Sequence, residues 1–196
     1  IEKVPHLRLF GHNLHHVMGV FAATGTFLSF FHQGSLGGMF GVMYARPFVE
    51  RWDFYVWPTT FFLFVLSAIA AGPCFTILCT KLTEAISRKK LVPDNAIQFL
   101  ARLSGWLLAS YIVLKIIDTL VWANTALPAD GLSFGDIYGK GSYGAMMLIG
   151  EIGIFGIVPA ILLLIPQVRR NPAGLIIACL LNCTGIVLNR FIFIIG

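Results

Sequence analysis

Five long apolar stretches, separated by short polar loops, occupy most of this chain of 196 residues. A helix of about 20 apolar residues crosses the hydrocarbon core of a bilayer, and each stretch reaches that length. In lipid the backbone must satisfy its own hydrogen bonds, and the stretches lack the apolar–polar alternation of barrel strands. The pattern predicts an all-α, polytopic transmembrane helical bundle, a single unit over 1–196, with spans at about 13–43, 58–80, 98–123, 143–165 and 173–196.

Composition supports the membrane class. Hydrophobic residues make up 57% of the chain and charged residues 12%, and the mean hydropathy is +0.82. A soluble domain of this size does not need so much apolar surface. The formal net charge of +5 does not indicate nucleic-acid binding, because the basic residues lie in short loops. Since Gly196 lies inside an apolar run, we expect a fragment of a longer subunit.

Lysine and arginine predict the orientation of the spans. Basic residues concentrate in the second and fourth loops, which places both loops and the N-terminus on the cytoplasmic side. These residues are Lys81, Arg88, Lys89, Lys90, Arg169 and Arg170. The aromatic residues at 52–57, in the first loop, suit either an interfacial anchor or a docking platform for an extrinsic subunit.

Ionisable residues inside the apolar stretches mark where function is expected. A charge at membrane depth is tolerated mainly when it faces a protein interior or a wet cavity. Helix direction puts these residues at similar depth, between the midplane and the outer surface. We therefore expect one buried polar cluster that forms a proton path or the wall of a redox site: His32, Lys115, Asp118, Glu151 and Arg190. The alternative is a structural ion-pair network that only locks the helices together.

Histidines and cysteines give no firm metal site. His12 and His16 are spaced one helical turn apart and could ligate a metal, although histidines at a water boundary are more often solvated. No histidine follows His32, so the chain alone cannot clamp a bis-histidine haem. The cysteines lie inside apolar spans and are expected to be packing residues: Cys74, Cys79, Cys179 and Cys183.

Small residues and prolines predict how the helices pack. Two small-xxx-small pairs, Gly34 with Gly38 and Gly37 with Gly41, form one face of the first span and favour close helix contact. Pro73 and Pro159 lie within the second and fourth spans, where they are expected to kink the helices.

The run at 32–37, His-Gln-Gly-Ser-Leu-Gly, resembles the HQ-[SG]-S-[LM]-G signature of the NrfD/polysulfide-reductase membrane-subunit family, and most closely its HybB/DsrP-like branch. The order of the later polar residues is also similar: a basic residue with an acid three positions on, then a glutamate after a methionine-rich start, then an arginine. These residues are Lys115, Asp118, Glu151 and Arg190.

The resemblance implies a subunit of roughly ten helices in two bundles, of which this chain is the second half. It implies no metal or haem in the chain itself, and quinone, or menaquinone, in the complex. It also implies electron exchange with an extrinsic, ferredoxin-like iron–sulfur subunit. A multihaem cytochrome and further membrane subunits are additional expected partners. The whole would be a quinone-linked oxidoreductase complex of sulfur metabolism in the inner membrane of a prokaryote.

For the residues, the resemblance implies a proton route in this half, while the quinone ligands of relatives lie mainly in the other half. Asp118 and Glu151 would carry protons, and Lys115 and Arg190 would offset their charge. His32 would relay protons or hydrogen-bond a quinone head group. A secondary transporter or ion channel and a purely structural anchor for redox subunits are the alternative functions.

Overall fold

The computed structural model describes residues 8–9, 12–41, 59–129, 131–139 and 142–195. Two short strands, β1 (Arg8–Leu9) and β2 (His12–Asn13), pair antiparallel and lead into helix α1 (Leu14–Gly41). The remaining elements are, in order, α2 (Thr59–Ser87), α3 (Asp94–Asn124), α4 (Ala126–Ala129), the π-helical turn π1 (Gly135–Gly139), α5 (Ser142–Ala145), the π-helical segment π2 (Met146–Ile157), α6 (Val158–Leu164), α7 (Pro166–Arg170) and α8 (Pro172–Ile195).

This architecture confirms the all-α helical bundle. Four helical stretches in the described residues are long and apolar enough to cross a membrane: Thr59–Ser87, Asp94–Ala129, Tyr143–Leu164 and Pro172–Ile192. Helix α1 has 28 residues but is not among these four, so the first of the five predicted crossings stays a prediction. The aromatic loop at 52–57 lies outside the described residues.

Two local expectations differ from the structure. The second span was predicted to end near residue 80, but α2 continues for about two further turns, to Ser87. The spacing of His12 and His16 was taken as one helical turn, but His12 lies in β2 and the helix begins at Leu14. The reason is that His12 pairs with Leu9 across the strands, so the helical repeat does not relate it to His16. The one-turn spacing of the two histidines on a single helix was therefore wrong.

The loops that join the helices are held by side chains. Helix α2 ends at Ser87, and the next residue, Arg88, has a positive φ of 51° and forms a left-handed cap. Glu84 then accepts hydrogen bonds from the backbone N–H groups of Leu91 (3.0 Å) and Val92 (3.3 Å), which fixes the turn into α3. At the start of α8, Asn171 Oδ1 caps the N–H of Ala173 at 3.0 Å. These caps set the register in which α2, α3 and α8 enter the bundle.

The four membrane-crossing stretches pack on one another, with α2 in contact with α3 and α8, and α6 in contact with α3 and α8. Buried apolar side chains form three layers along the bundle. The layer near the start of α2 includes Phe64, Trp122 and Ile192. The middle layer includes Ala70 and Leu108, and the layer near the end of α2 includes Ile77, Leu163 and Ala178. The polar network described below lies between the first two layers.

Helix α1 lies at the side of this bundle and packs along α2. The small face predicted for α1 makes the contact: a Cβ at Gly37 would lie 2.6 Å from the backbone oxygen of Thr60 and 2.8 Å from Phe64 Cβ. A Cβ at Gly34 would meet the ring of Phe61. Most residues from 18 to 32 are exposed, so the opposite face of α1 has no cover within the described residues.

Gly37→Ala should weaken the α1–α2 contact, because the new methyl group meets backbone and cannot be accommodated without separating the helices. The expected loss is about 1–3 kcal/mol of the free energy of unfolding, as for other overpacked sites. The matched control is Gly25→Ala on the same helix, where a Cβ meets nothing within 4 Å. Thermal unfolding in detergent measures both. Equal stability of the two variants would contradict the close approach.

Candidate functional site

The centre of the polar network is an ion pair between Lys115 on α3 and Glu151 on π2. The Lys115 ammonium group donates a hydrogen bond to Glu151 Oε1. The two residues are only 3% and 4% exposed. Removing two charges from water costs several kcal/mol per ion, and their mutual contact offsets that cost only with further hydrogen bonds. The pair therefore needs polar neighbours, which Tyr111 and Asn189 supply.

Two of those neighbours donate to the same carboxylate oxygen. The Tyr111 hydroxyl and the Asn189 amide each donate to Glu151 Oε1 at 2.9 Å. Lys115 also donates to the Tyr111 oxygen at 3.2 Å. Three donors from α3 and α8 thus converge on one oxygen of the carboxylate. The other oxygen, Oε2, is buried and has no hydrogen-bond partner within the described residues, which leaves one open acceptor at the centre of the network.

Arg190 extends the network to the remaining helix. Its Nη1 donates to Asn189 Oδ1 at 2.9 Å, and its Nη2 donates to the backbone oxygen of Phe64 and to Ser67 Oγ, both at 3.1 Å. The guanidinium carbon lies 3.5 Å from the centre of the Phe64 ring, a cation–π contact. Hydrogen bonds therefore connect α2, α3, π2 and α8 through one continuous set of polar groups.

Asp118 lies on α3 three residues after Lys115, on the same side of the helix. It is buried, and its carboxylate accepts a hydrogen bond from the hydroxyl of Thr59, the first residue of α2. Both residues line a groove of about 530 Å³ between α2 and α3. The other lining residues are apolar: Phe62, Leu63, Leu114, Ile117 and Val121. Through this groove the carboxylate of Asp118, which lies beside the network, is open to the outer surface of the helices.

His32 is the one predicted cluster member that the structure does not bring to the others. It is exposed on α1, and the bond described for it is the one its backbone oxygen accepts from Ser35 Oγ at 2.9 Å. Gly34 and Gly37 occupy the side of α1 that faces α2. At about 100° per residue, His32 lies about 200° around the helix from Gly34 and so points away from the bundle. Lys115 contacts Glu151, Arg190 is joined to Glu151 through Asn189, and Asp118 lies one turn from Lys115; the role of these residues as a proton path stays a prediction.

Sequence reasoning did not name four of the neutral partners as site residues: Thr59, Ser67, Tyr111 and Asn189. Two of them carry a local signal. Tyr111 lies one turn before Lys115 on the same helical face, and Asn189 directly precedes Arg190. Ser67 and Thr59 carry no such signal, because their roles arise from α2 packing against α8 and α3.

A second buried polar cluster lies further along the bundle. Asn182 on α8 donates to the backbone oxygen of Ala70 (3.2 Å), to Ser104 Oγ (3.1 Å) and to Cys74 Sγ (3.3 Å). Ser104 also donates to Ala70 O at 2.5 Å, so it satisfies a carbonyl about one turn beyond Ser67 of the ion network. Cys179 is buried beside this cluster, and the described residues contain no group of three metal-ligating side chains. The hydrogen bonds of this cluster join α2, α3 and α8 within the packed interior of the bundle.

The helices are apolar on the outside and hold a lysine–glutamate pair and an arginine between them. These features place the chain in the class of polytopic membrane proteins with an internal charge network. Within that class the chain belongs to the NrfD family, since the family described as "Polysulphide reductase, NrfD" matches residues 2–196. This confirms the family indicated by the run at 32–37, while its branch stays a prediction.

One curated relative is the "Menaquinone reductase, integral membrane subunit" of Nitratidesulfovibrio vulgaris strain Hildenborough. It is 44% identical over 182 residues, which are 92% of this chain and 43% of the relative. The chain thus spans less than half the length of that protein. No solved structure matches the chain.

Removing one member of the central pair should destabilise the bundle strongly. Glu151→Gln leaves the Lys115 charge buried without its anion, and Lys115→Met leaves the carboxylate without its cation. Each should cost about 3–5 kcal/mol, while the double variant should cost less than the sum. Unfolding in detergent of both single variants and the double variant measures the coupling.

The control for this cycle is the exposed pair Lys90–Asp94, joined at 2.5 Å with side chains 60% and 69% exposed. The same type of cycle, Lys90→Met and Asp94→Asn, should give a coupling below about 1 kcal/mol because water screens it. Coupling of similar size in the two pairs would refute the buried network as a stabilising centre.

Proposed function

We propose that this chain is part of the membrane subunit of a respiratory complex that exchanges electrons between menaquinone and an extrinsic iron–sulfur protein. The observation that carries the proposal is the 44% identity to a protein named as a menaquinone reductase integral membrane subunit. Family membership over residues 2–196 supports the same reading. The chain acts as one bundle in a prokaryotic inner membrane, with its basic loops in the cytoplasm.

The role of the bundle follows from the chemistry of quinones, whose two-electron reduction takes up two protons. We infer that Asp118 and Glu151 carry such protons. Asp118 lines the groove between α2 and α3, on the side from which a lipid-soluble molecule would arrive. Lys115 lies between the two acids, one turn from Asp118 and in direct contact with Glu151. Both carboxylates accept hydrogen bonds from hydroxyl groups, Asp118 from Thr59 and Glu151 from Tyr111, and a positioned carboxylate of this kind is suited to proton transfer.

The arrangement supports a short route for protons. Lys115 and Tyr111 both donate to Glu151 Oε1, so either group can give its proton to Glu151 and take up another from the side of Asp118, one helical turn away. The open Glu151 Oε2 is suited to hold a water molecule or a proton at the inner end of that route. Lys115 and Arg190 offset the negative charge of the two carboxylates when these are deprotonated. A role for His32 as relay or quinone ligand needs a partner outside the described residues.

The same geometry would also serve a purely structural network, because its hydrogen bonds join four helical stretches. The two readings differ in what neutral substitutions change. A structural network affects assembly and stability, whereas a proton route affects turnover in protein that has assembled correctly. The experiments below separate them.

Purification from native membranes in mild detergent should yield this subunit together with an iron–sulfur protein in stoichiometric amount, identified by mass spectrometry. A multihaem cytochrome is a further expected component. A subunit that purifies alone, and that moves ions in vesicles without a redox partner, would instead support a transporter or channel.

Asp118→Asn and Glu151→Gln should lower quinol turnover by about 100-fold or more, the effect expected when a positioned proton-transfer group is lost. Proton uptake should fall in parallel. The control is Asp94→Asn, which removes an exposed acid from the start of the same helix. Turnover is measured per assembled complex, with assembly checked by subunit stoichiometry. Normal turnover and proton uptake in both variants would rule out the proton route.

A further inference from the structure

A second cavity, of about 470 Å³, lies at the other end of the bundle, where α2, α3, α7 and α8 meet. It is remote from the ion network, and polar and charged side chains form part of its lining: Lys81, Asp94, Asn95, Gln98, Arg169 and Arg170. Ile97 and Leu175 form its apolar floor. The positive-inside rule places this end at the cytoplasmic surface.

Positive charge around the cavity exceeds negative charge. Residues 81–102 contain five basic and two acidic side chains, and residues 165–172 contain two basic and no acidic side chains. Both acids already contact lysines, Glu84 with Lys81 at 2.8 Å and Asp94 with Lys90 at 2.5 Å. The three arginines near the cavity form no ion pair with any described residue: Arg102, Arg169 and Arg170.

Arg169 is held in place with part of its guanidinium group unsatisfied. Its Nη1 donates to the backbone oxygens of Leu163 (2.7 Å) and Leu164 (3.1 Å), which caps α6. Gln98 fixes the local backbone by donating to Arg169 O at 2.7 Å. The Nε atom of Arg169 is buried and has no acceptor among the described residues. An anionic oxygen that accepted a hydrogen bond from this nitrogen would satisfy it.

The electrostatics of Arg169 also indicate a missing anion. Partial burial lowers the pKa of its guanidinium below the usual value, and the positive charges of Arg102 and Arg170 lower it further. A carboxylate or phosphate beside the group would act in the opposite direction. Among the described residues that line the cavity, the one acid, Asp94, is paired with Lys90, so the cations on α3 and α7 outnumber the acids around the cavity.

We propose that this cavity binds the phosphate group of an anionic phospholipid. Basic pockets between helices at the cytoplasmic surface suit lipid head groups. The apolar part of the lining, Ile97, Pro172 and Leu175, favours a lipid over a free anion. Phe99 follows Gln98 in sequence and is 65% exposed, and Leu82 follows Lys81 and is 63% exposed, so α3 and α2 carry exposed apolar side chains at this end of the bundle. The lipid would join α2, α3, α7 and α8 at the end where the arginines repel one another.

The test is native mass spectrometry of the protein purified from native membranes and exchanged into micelles containing phosphatidylglycerol or phosphatidylcholine. The test variant is Arg102→Gln with Arg170→Gln, which spares the cap made by Arg169. The control variant is Arg88→Gln with Lys89→Gln, which removes the same charge from the exposed loop at the same end of the bundle. A thermal unfolding curve for each variant verifies that it is folded.

We expect the unmodified protein and the control variant to retain phosphatidylglycerol in preference to phosphatidylcholine. The test variant should bind it about fivefold more weakly for each arginine removed. Equal weakening in the control would mean a diffuse surface charge and overturn the site. Retention of both lipids alike, or displacement of phosphatidylglycerol by an equal concentration of inorganic phosphate, would also overturn it. None of these outcomes depends on whether the complex reacts with quinone.

Discussion

The contact between Lys115 and Glu151 is the constraint on which the rest of the bundle depends. Neither charge is stable alone in a low-dielectric interior, so α3 and π2 must meet at these two residues. Glu151 Oε1 then requires Tyr111 and Asn189, and Asn189 in turn accepts from Arg190. Each added partner comes from a helix already in contact, so one ion pair fixes the register of four helical stretches. Apolar layers on either side exclude water from it.

Helix geometry near Glu151 helps to place its carboxylate. The residue lies in π2, a 12-residue π-helical segment followed by Pro159. Wider turns of this kind are frequent at functional sites, where they alter the direction of a side chain. Gly156 allows π2 to approach α3, because a Cβ there would lie 2.8 Å from Glu151 O and 3.1 Å from Ile112 Cδ1. The segment therefore combines an irregular backbone with close packing against the helix that carries Lys115.

The two ends of the bundle differ in charge, and the difference matches the proposed division of labour. Towards the start of α2, Asp118 opens into an apolar groove suited to a lipid-soluble reactant. Towards its end, Arg169 and Arg170 line a cavity that would suit an anionic head group. Between them, the Asn182 cluster satisfies backbone groups without adding charge. The buried acids Asp118 and Glu151 thus lie towards one end of the bundle, and the excess of basic side chains lies at the other.

The sequence by itself determined the helices, the family and the identity of most charged site residues. The length of an apolar run and the hydrogen bonding within a helix depend on the local sequence alone. The spans near 98–123 and 173–196 could therefore be predicted from the sequence. Lys115, Glu151 and Arg190 stood out because charges in apolar runs are rare. Tertiary structure alone decided which polar groups meet, because that depends on helix rotation and on which helices are neighbours. His32 was expected at the depth of the others, but it is exposed on α1. Ser67 and Thr59 had no distinguishing feature in the sequence and became partners when α2 packed against α8 and α3.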